Sequence, residues 1–228
     1  MDNMSLYLTI ALAPLVGSLL AGLFGKQIGR AGAHSVTILS VAVSTVLSAY
    51  VLWGFIDGSR SKFDENVYTW LTMGGLDFSV GFLVDSLTAM MMVVVTSVSL
   101  MVHIYTIGYM HDEETGYQRF FSYISLFTFS MLMLVMSNNF VQLFFGWEAV
   151  GLVSYLLIGF YFKRESAIFA NLKAFLVNRV GDFGFLIGIG LVLAYFGGSL
   201  RYADVFAYLP NVQHATIQLF PGVEWSLM

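Results

Sequence analysis

GWEAVGLVSYLLIGFYFKRESAIFANLKAFLVNRVGDFGF, residues 146–185, consists of two apolar runs joined by a short charged turn, and each run carries ionisable residues near its middle. A helix that crosses a bilayer needs about 20 mostly apolar residues. With their flanks, Phe140 to Phe162 and Ala167 to Phe196 both reach that length. The turn around Arg164 makes the two helices antiparallel neighbours, so residues equidistant from it lie at the same depth. Glu148 stands as far before Arg164 as position 180 stands after it. It is therefore level with Arg179 and Asp182, about 24 Å from the hairpin end at 1.5 Å per residue. Arg179 and Asp182, three apart on one helix, occupy adjacent parts of one face and can pair.

The rest of the chain follows the same pattern. Leu6 to Gly25, Ser35 to Phe55, Val80 to Tyr105 and Phe120 to Met136 are also long and apolar, which gives six expected spans in an all-α polytopic membrane protein. Of 228 residues, 58% are hydrophobic and 11% charged, more apolar surface than a soluble core of this size could hide. The first run is too long for a signal-peptide core and has Asp2 as its one preceding charge, so it reads as a retained span. With no cysteine, this sequence supplies no disulfide, thiolate zinc site or iron–sulfur ligation. Four scattered histidines form no metal motif, and no Lys/Arg cluster suggests nucleic acid.

Lys26, Arg30, Arg119, Lys163 and Arg164 fall on one side of the spans, against Arg60, Lys62 and Arg201 on the other, so the positive-inside rule places the N-terminus outside. The loop from Asp57 to Ser79 and the tail from Gly197 to Met228 then face outward, and Asp112, Glu113 and Glu114 face inward. Within the outer loop, NVYTWLTM (Asn66–Met73), Gly74-Gly75 and the alternating LDFSV predict a β-hairpin with a two-residue glycine turn. Thr37, Ser40, Ser44 and Ser48 keep to one helix face. Gly17, Ala21 and Gly25, and likewise Gly184 and Gly188, have the small-xxx-small spacing that lets helices approach, which predicts packing.

A charge at the bilayer centre costs on the order of 3 kcal/mol or more, so Glu148, Arg179 and Asp182 need a reason to be there. A buried carboxylic acid holds its proton more readily, and a nearby guanidinium favours its release. A cation that moves relative to the acid is thus the elementary part of a proton switch. The competing reading is a buried ion pair that only locks two helices together. Lys173 lies about two turns inside its helix, where it can snorkel to the interface, and faces away from Asp182. His103 and Asp85 read as interfacial or packing residues, with a proton relay as the competing reading of His103, and Asn138 and Asn139 read as a polar turn.

GWEAVGLVSYLLIGFYF and KAFLVNRVGDFGF (Lys173–Phe185) resemble the antiporter-like subunits of respiratory complex I. VDSLTAMMMVVV (Val84–Val95), HIYTIGYM (His103–Met110) and GYQRFFSYISLF (Gly116–Phe127) support the likeness. The resemblance implies the N-terminal part of the antiporter-like fold, with three leading helices in 1–117, the start of a first repeat in 118–228, and an outer-face β-hairpin. It implies a membrane-arm, non-redox subunit of a proton-translocating NADH:quinone oxidoreductase in the bacterial inner membrane. Glu148 then takes the role of a proton-channel residue, Arg179 and Asp182 match the family's RVGD, and Lys173 matches its KAF lysine. NADH, FMN, iron–sulfur clusters and quinone are expected in partner subunits, with none held here; the other membrane-arm subunits and the lipid are the partners. A sodium/proton antiporter subunit and a membrane-bound hydrogenase subunit are the alternatives in the same superfamily. Family members continue into a second repeat, with a regulatory lysine on a later helix, so this chain is expected to be an N-terminal fragment that completes no proton path alone.

Overall fold

The computed structural model describes residues 2–74, 76–113, 116–212, 215–220 and 222–226. Its elements run α1 (Asn3–Leu23), α2 (Gly25–Ile56), β1 (Phe63–Met73), β2 (Leu76–Val84), α3 (Ser86–Tyr109), α4 (Tyr117–Val135), α5 (Phe140–Ile158), α6 (Glu165–Tyr195), α7 (Tyr202–Tyr208), β3 (Thr216–Phe220) and β4 (Val223–Ser226). α1 to α6 are long and apolar enough to cross a membrane, and correspond one for one to the six expected spans. The chain is a multi-pass membrane protein. α4 is the centre of the bundle, packed on α1, α2, α3 and α5, while α6 packs chiefly against α5.

Pro14 shows how the leading helices are held. A proline inside a helix removes one donor and frees the carbonyl four residues earlier, and lipid offers no water to satisfy it. Here the freed carbonyl of Ile10 accepts from Ser44 Oγ of α2 at 2.8 Å, and the carbonyl of Pro14 accepts from Ser125 Oγ of α4 at 2.7 Å. One turn on, Ser18 and Ser122 exchange hydroxyl-to-carbonyl bonds in both directions at 2.8 Å. The serine stripe of α2 thus packs α1, as expected, and also completes its backbone. At Gly17 and Gly25 an added Cβ would collide with Ser40 and Gln118, so these glycines do permit close approach.

Four expectations change. Residues 80–84 belong to β2, not to the third span: they pair with 63–68, and Asp85 caps α3 by accepting from the Thr88 N–H at 2.8 Å. At Gly184 and Gly188 nothing lies within 4 Å of where a Cβ would sit, because α6 has a helix neighbour on one side only. The tail after α6, expected as loop, contains α7 and the β3–β4 pair among its described residues. α2 begins earlier than Ser35 and is broken at Gly29, whose φ of 69° only glycine adopts readily. That break delivers Arg30 to the end of α3, where its guanidinium donates to the carbonyls of Met110 and His111 at 2.9 and 2.7 Å.

The hairpin joins Met73 to Leu76 across two residues, with Gly74 at φ 61°. Gly75, the other half of the expected turn, Glu114 of the acidic run and Met228 at the end of the tail lie outside the described residues. At the hairpin end of the bundle, Asn138 and Asn139, both buried, gather three segments. Asn138 Nδ2 donates to Asn66 at 2.9 Å and Asp64 at 3.2 Å, and Asn139 Nδ2 to the Ser79 carbonyl at 3.0 Å. Gln142 Oε1 accepts from the Gly81 N–H at 2.8 Å. The chain beyond α6 closes the clamp: Phe140 N–H donates to the Leu200 carbonyl at 3.0 Å, Tyr202 N–H to the Asn138 carbonyl at 3.2 Å, and Arg201 sits 3.7 Å from Asp64.

Ser44→Ala leaves the Ile10 carbonyl unanswered and is expected to destabilise the bundle by about 1–2 kcal/mol. Thermal unfolding in detergent reads this. Ser97→Ala, at a hydroxyl that bonds within its own helix, should leave the midpoint unchanged.

Candidate ion-pair site at mid-span

Asn139 starts α5, its Oδ1 accepting from the Gln142 N–H at 2.8 Å. Eight residues from Asn139 at 1.5 Å each put Trp147 about 12 Å into the span, with Glu148 beside it. Gly146, just before them, lies against the backbone of Leu134, so α4 and α5 are in close contact at this level. The turn at residues 159–164 reverses the chain, and α6 brings Arg179 and Asp182 back to the same depth.

The two helices meet through charge. Arg179 Nη1 lies 2.5 Å from Glu148 Oε2 and 3.6 Å from Asp182 Oδ2, so one guanidinium spans two carboxylates, one on each helix. Asp182 is buried and accepts from Trp147 Nε1 at 2.8 Å. Each helix therefore gives the other a polar contact: Arg179 to Glu148 from α6, and Trp147 to Asp182 from α5. Below them Arg179 stacks over the Phe175 ring at 5.0 Å, and Trp147 meets Phe185 edge-on.

Glu148, Arg179 and Asp182 are thus brought together, and Lys173 is not. It is exposed on α6 and makes no ion pair among the described residues. Trp147 is the residue the spacing argument missed. Its signal was available, since an indole N–H inside a membrane span needs an acceptor, but helical rise gives depth and not the direction of a side chain. Chemically, the arrangement holds one cation between two acids of unequal surroundings. Asp182 is anchored by the indole, whereas Glu148 depends on Arg179. Any movement of the guanidinium toward Asp182 would take from Glu148 its one ion-pair partner among the described residues.

Known proteins resemble this chain along its whole length. The family described as NADH-ubiquinone oxidoreductase (complex I), chain 5 N-terminus matches residues 70–121, and that described as NADH:quinone oxidoreductase/Mrp antiporter, TM matches 137–223, which includes the whole ion-pair site. NADH-quinone oxidoreductase subunit L of Neisseria meningitidis serogroup B is 88% identical over 228 residues, all of this chain and 34% of that protein. The subunit L of Rhodobacter capsulatus is 47% identical over 209 residues (89% of this chain, 29% of that one). NADH-ubiquinone oxidoreductase chain 5 of Dictyostelium discoideum is 40% identical over 214 residues (94% and 32%). The chain spans about a third of the length of the curated relatives it matches. Among solved structures, a chain of the membrane-bound sulfane sulfur reductase, an archaeal respiratory membrane complex, superposes with a TM-score of 0.70 at 19% identity, over 89% of this chain and 30% of that one, which shows a shared fold. The chain belongs to the family of NADH:quinone oxidoreductase and Mrp antiporter transmembrane subunits.

Proposed function

We propose that this chain takes part in proton translocation as a membrane-arm subunit of an NADH:quinone oxidoreductase, with Glu148 as the proton-carrying group. The observation that carries the reading is the shared guanidinium: Arg179 touches Glu148 while lying within ion-pair distance of Asp182. When Arg179 is held by Glu148, the carboxylate is ionised. When a change elsewhere in the complex draws Arg179 to Asp182, Glu148 stands uncompensated in the span and takes up a proton, which it releases as the guanidinium returns. Trp147 keeps Asp182 in place as the alternative partner. Lys173, in the first turns of α6, serves as a peripheral cation of the same path.

On this reading the chain contributes no redox chemistry, and NADH, flavin, iron–sulfur clusters and quinone are bound by partner subunits. Residues 1–117 are the leading helices and 118–228 open the first antiporter-like repeat. The bacterial inner membrane holds the protein with Arg30, Arg119, Lys163 and Arg164 on the cytoplasmic side and the hairpin outside, as the charge bias favours.

Glu148→Gln in the assembled complex is expected to lower proton pumping while electron transfer to quinone continues; full pumping would remove Glu148 from the path. Asp182→Asn keeps an acceptor for Trp147 but removes the charge that competes for Arg179. It should reduce protons moved per electron pair at normal assembly, and a fall in assembled complex alone would favour a purely structural ion pair. Trp147→Phe loses a hydrogen bond to a charged group, about 1.5–3 kcal/mol. Its pumping should lie between those of the parent and Glu148→Gln.

A further inference from the structure

A second ionisable side chain is enclosed within the spans, on helices that the Glu148 site does not use. His103 of α3 is 0% exposed. Its Nδ1 lies 2.8 Å from the Ser99 carbonyl one turn back, a contact in which Nδ1 carries the hydrogen and donates. Nε2 is then the lone-pair nitrogen, and it is buried with no hydrogen-bond partner among the described residues. An unanswered buried acceptor costs about 1–3 kcal/mol, and here it leaves a basic lone pair available inside the spans.

The polar neighbours of the ring are a carbonyl and a hydroxyl. Ser99 Oγ lies 3.3 Å from Nδ1, beside the carbonyl that holds the ring, and 2.5 Å from Thr128 Oγ1 of α4, which ties the Ser99 side chain to that helix. Phe121 of α4 packs against His103 at 6.2 Å and against His34 of α2 at 6.0 Å, and His34 Nδ1 is 2.9 Å from the Tyr117 hydroxyl. Arg30 stacks over Tyr117 at 4.3 Å where α3 ends. The titratable and charged groups gathered at this end of α3 include Arg30 and His34 from α2, Tyr117 from α4, Tyr161, and Tyr109, His111, Asp112 and Glu113 from α3 and the turn after it, and no carboxylate among the described residues bonds to His103. Burial opposes a lasting charge on His103, while the Ser99 carbonyl favours a transient one. α3 packs on α2 and α4, away from the α5–α6 pair.

We infer that His103 is a second proton-carrying group, one that takes a proton at Nε2 from water at the Arg30–His34–Tyr117 end of the bundle. In the step, a hydronium O–H bond breaks, an Nε2–H bond forms and water is left. The resulting imidazolium keeps its Nδ1–H on the Ser99 carbonyl and returns the proton to water by the reverse step. The inference rests on the proton-translocating reading above.

The test uses the complete respiratory complex in sealed vesicles, with His103→Gln, Thr128→Val and Glu148→Gln measured side by side for assembly, quinone reduction and protons moved per electron pair. Glutamine can still donate to the Ser99 carbonyl but cannot carry the proton. His103→Gln is expected to assemble, to reduce quinone at the parent rate and to lose proton yield; Thr128→Val should lose a smaller share. Parent-level proton yield in His103→Gln, with Glu148→Gln defective, would overturn the role of His103 and leave the Glu148 reading standing. Parent-level yield in both would overturn the translocation reading itself. Should His103→Gln fail to assemble, Thr128→Val decides: lost yield at normal assembly supports the inference, and unchanged yield overturns it.

Discussion

A guanidinium placed inside an apolar span has to be answered from a neighbouring helix, because lipid supplies neither counter-charge nor hydrogen bond. Arg179 is that constraint here. Its bond to Glu148 fixes how α6 is rotated about its axis, since a turn of the helix in either direction would leave two acids and a cation in hydrocarbon. Trp147 closes the same join from the other side through Asp182. Among the described residues α6 packs chiefly on α5, so this polar join does for it much of what a packed core does for α4.

The same rule explains the leading helices. α1 and α2 contain few charges, yet their interface is lined with serine and threonine. Those hydroxyls do different work at different places. Ser44 serves a carbonyl freed by Pro14, Ser125 serves the carbonyl of Pro14 itself, and Thr37 only bonds back into its own helix at 3.0 Å. Ser18 and Ser122 hold α1 to α4 by a mutual exchange.

Six spans and the common depth of Glu148, Arg179 and Asp182 are readable from the chain because hydropathy sets length and helical rise is constant. Rotation is not readable in this way. Spacing cannot say that Glu148 turns toward Arg179 or that the Trp147 indole reaches Asp182, since both depend on how two faces meet. Val80 to Val84 is apolar and runs straight into α3, which hides the strand; Asp85, as a cap, was the mark of the true boundary. Gly184 and Gly188 show the other limit. Small residues permit an approach without naming the helix that makes it.

The clamp at Asn138 and Asn139 has a consequence for biosynthesis. Its hairpin side is made before α4 emerges, but its last members, Leu200 to Tyr202, follow α6 in the chain. Until the sixth span has crossed, the Phe140 N–H and the Asn138 carbonyl stay open to water and Asp64 lacks its cation. Closure of the clamp therefore reports that α5 and α6 have both been threaded in the right sense. An insertion error in that helical hairpin leaves an unfilled polar surface at the membrane boundary, the kind of surface that quality-control proteases recognise.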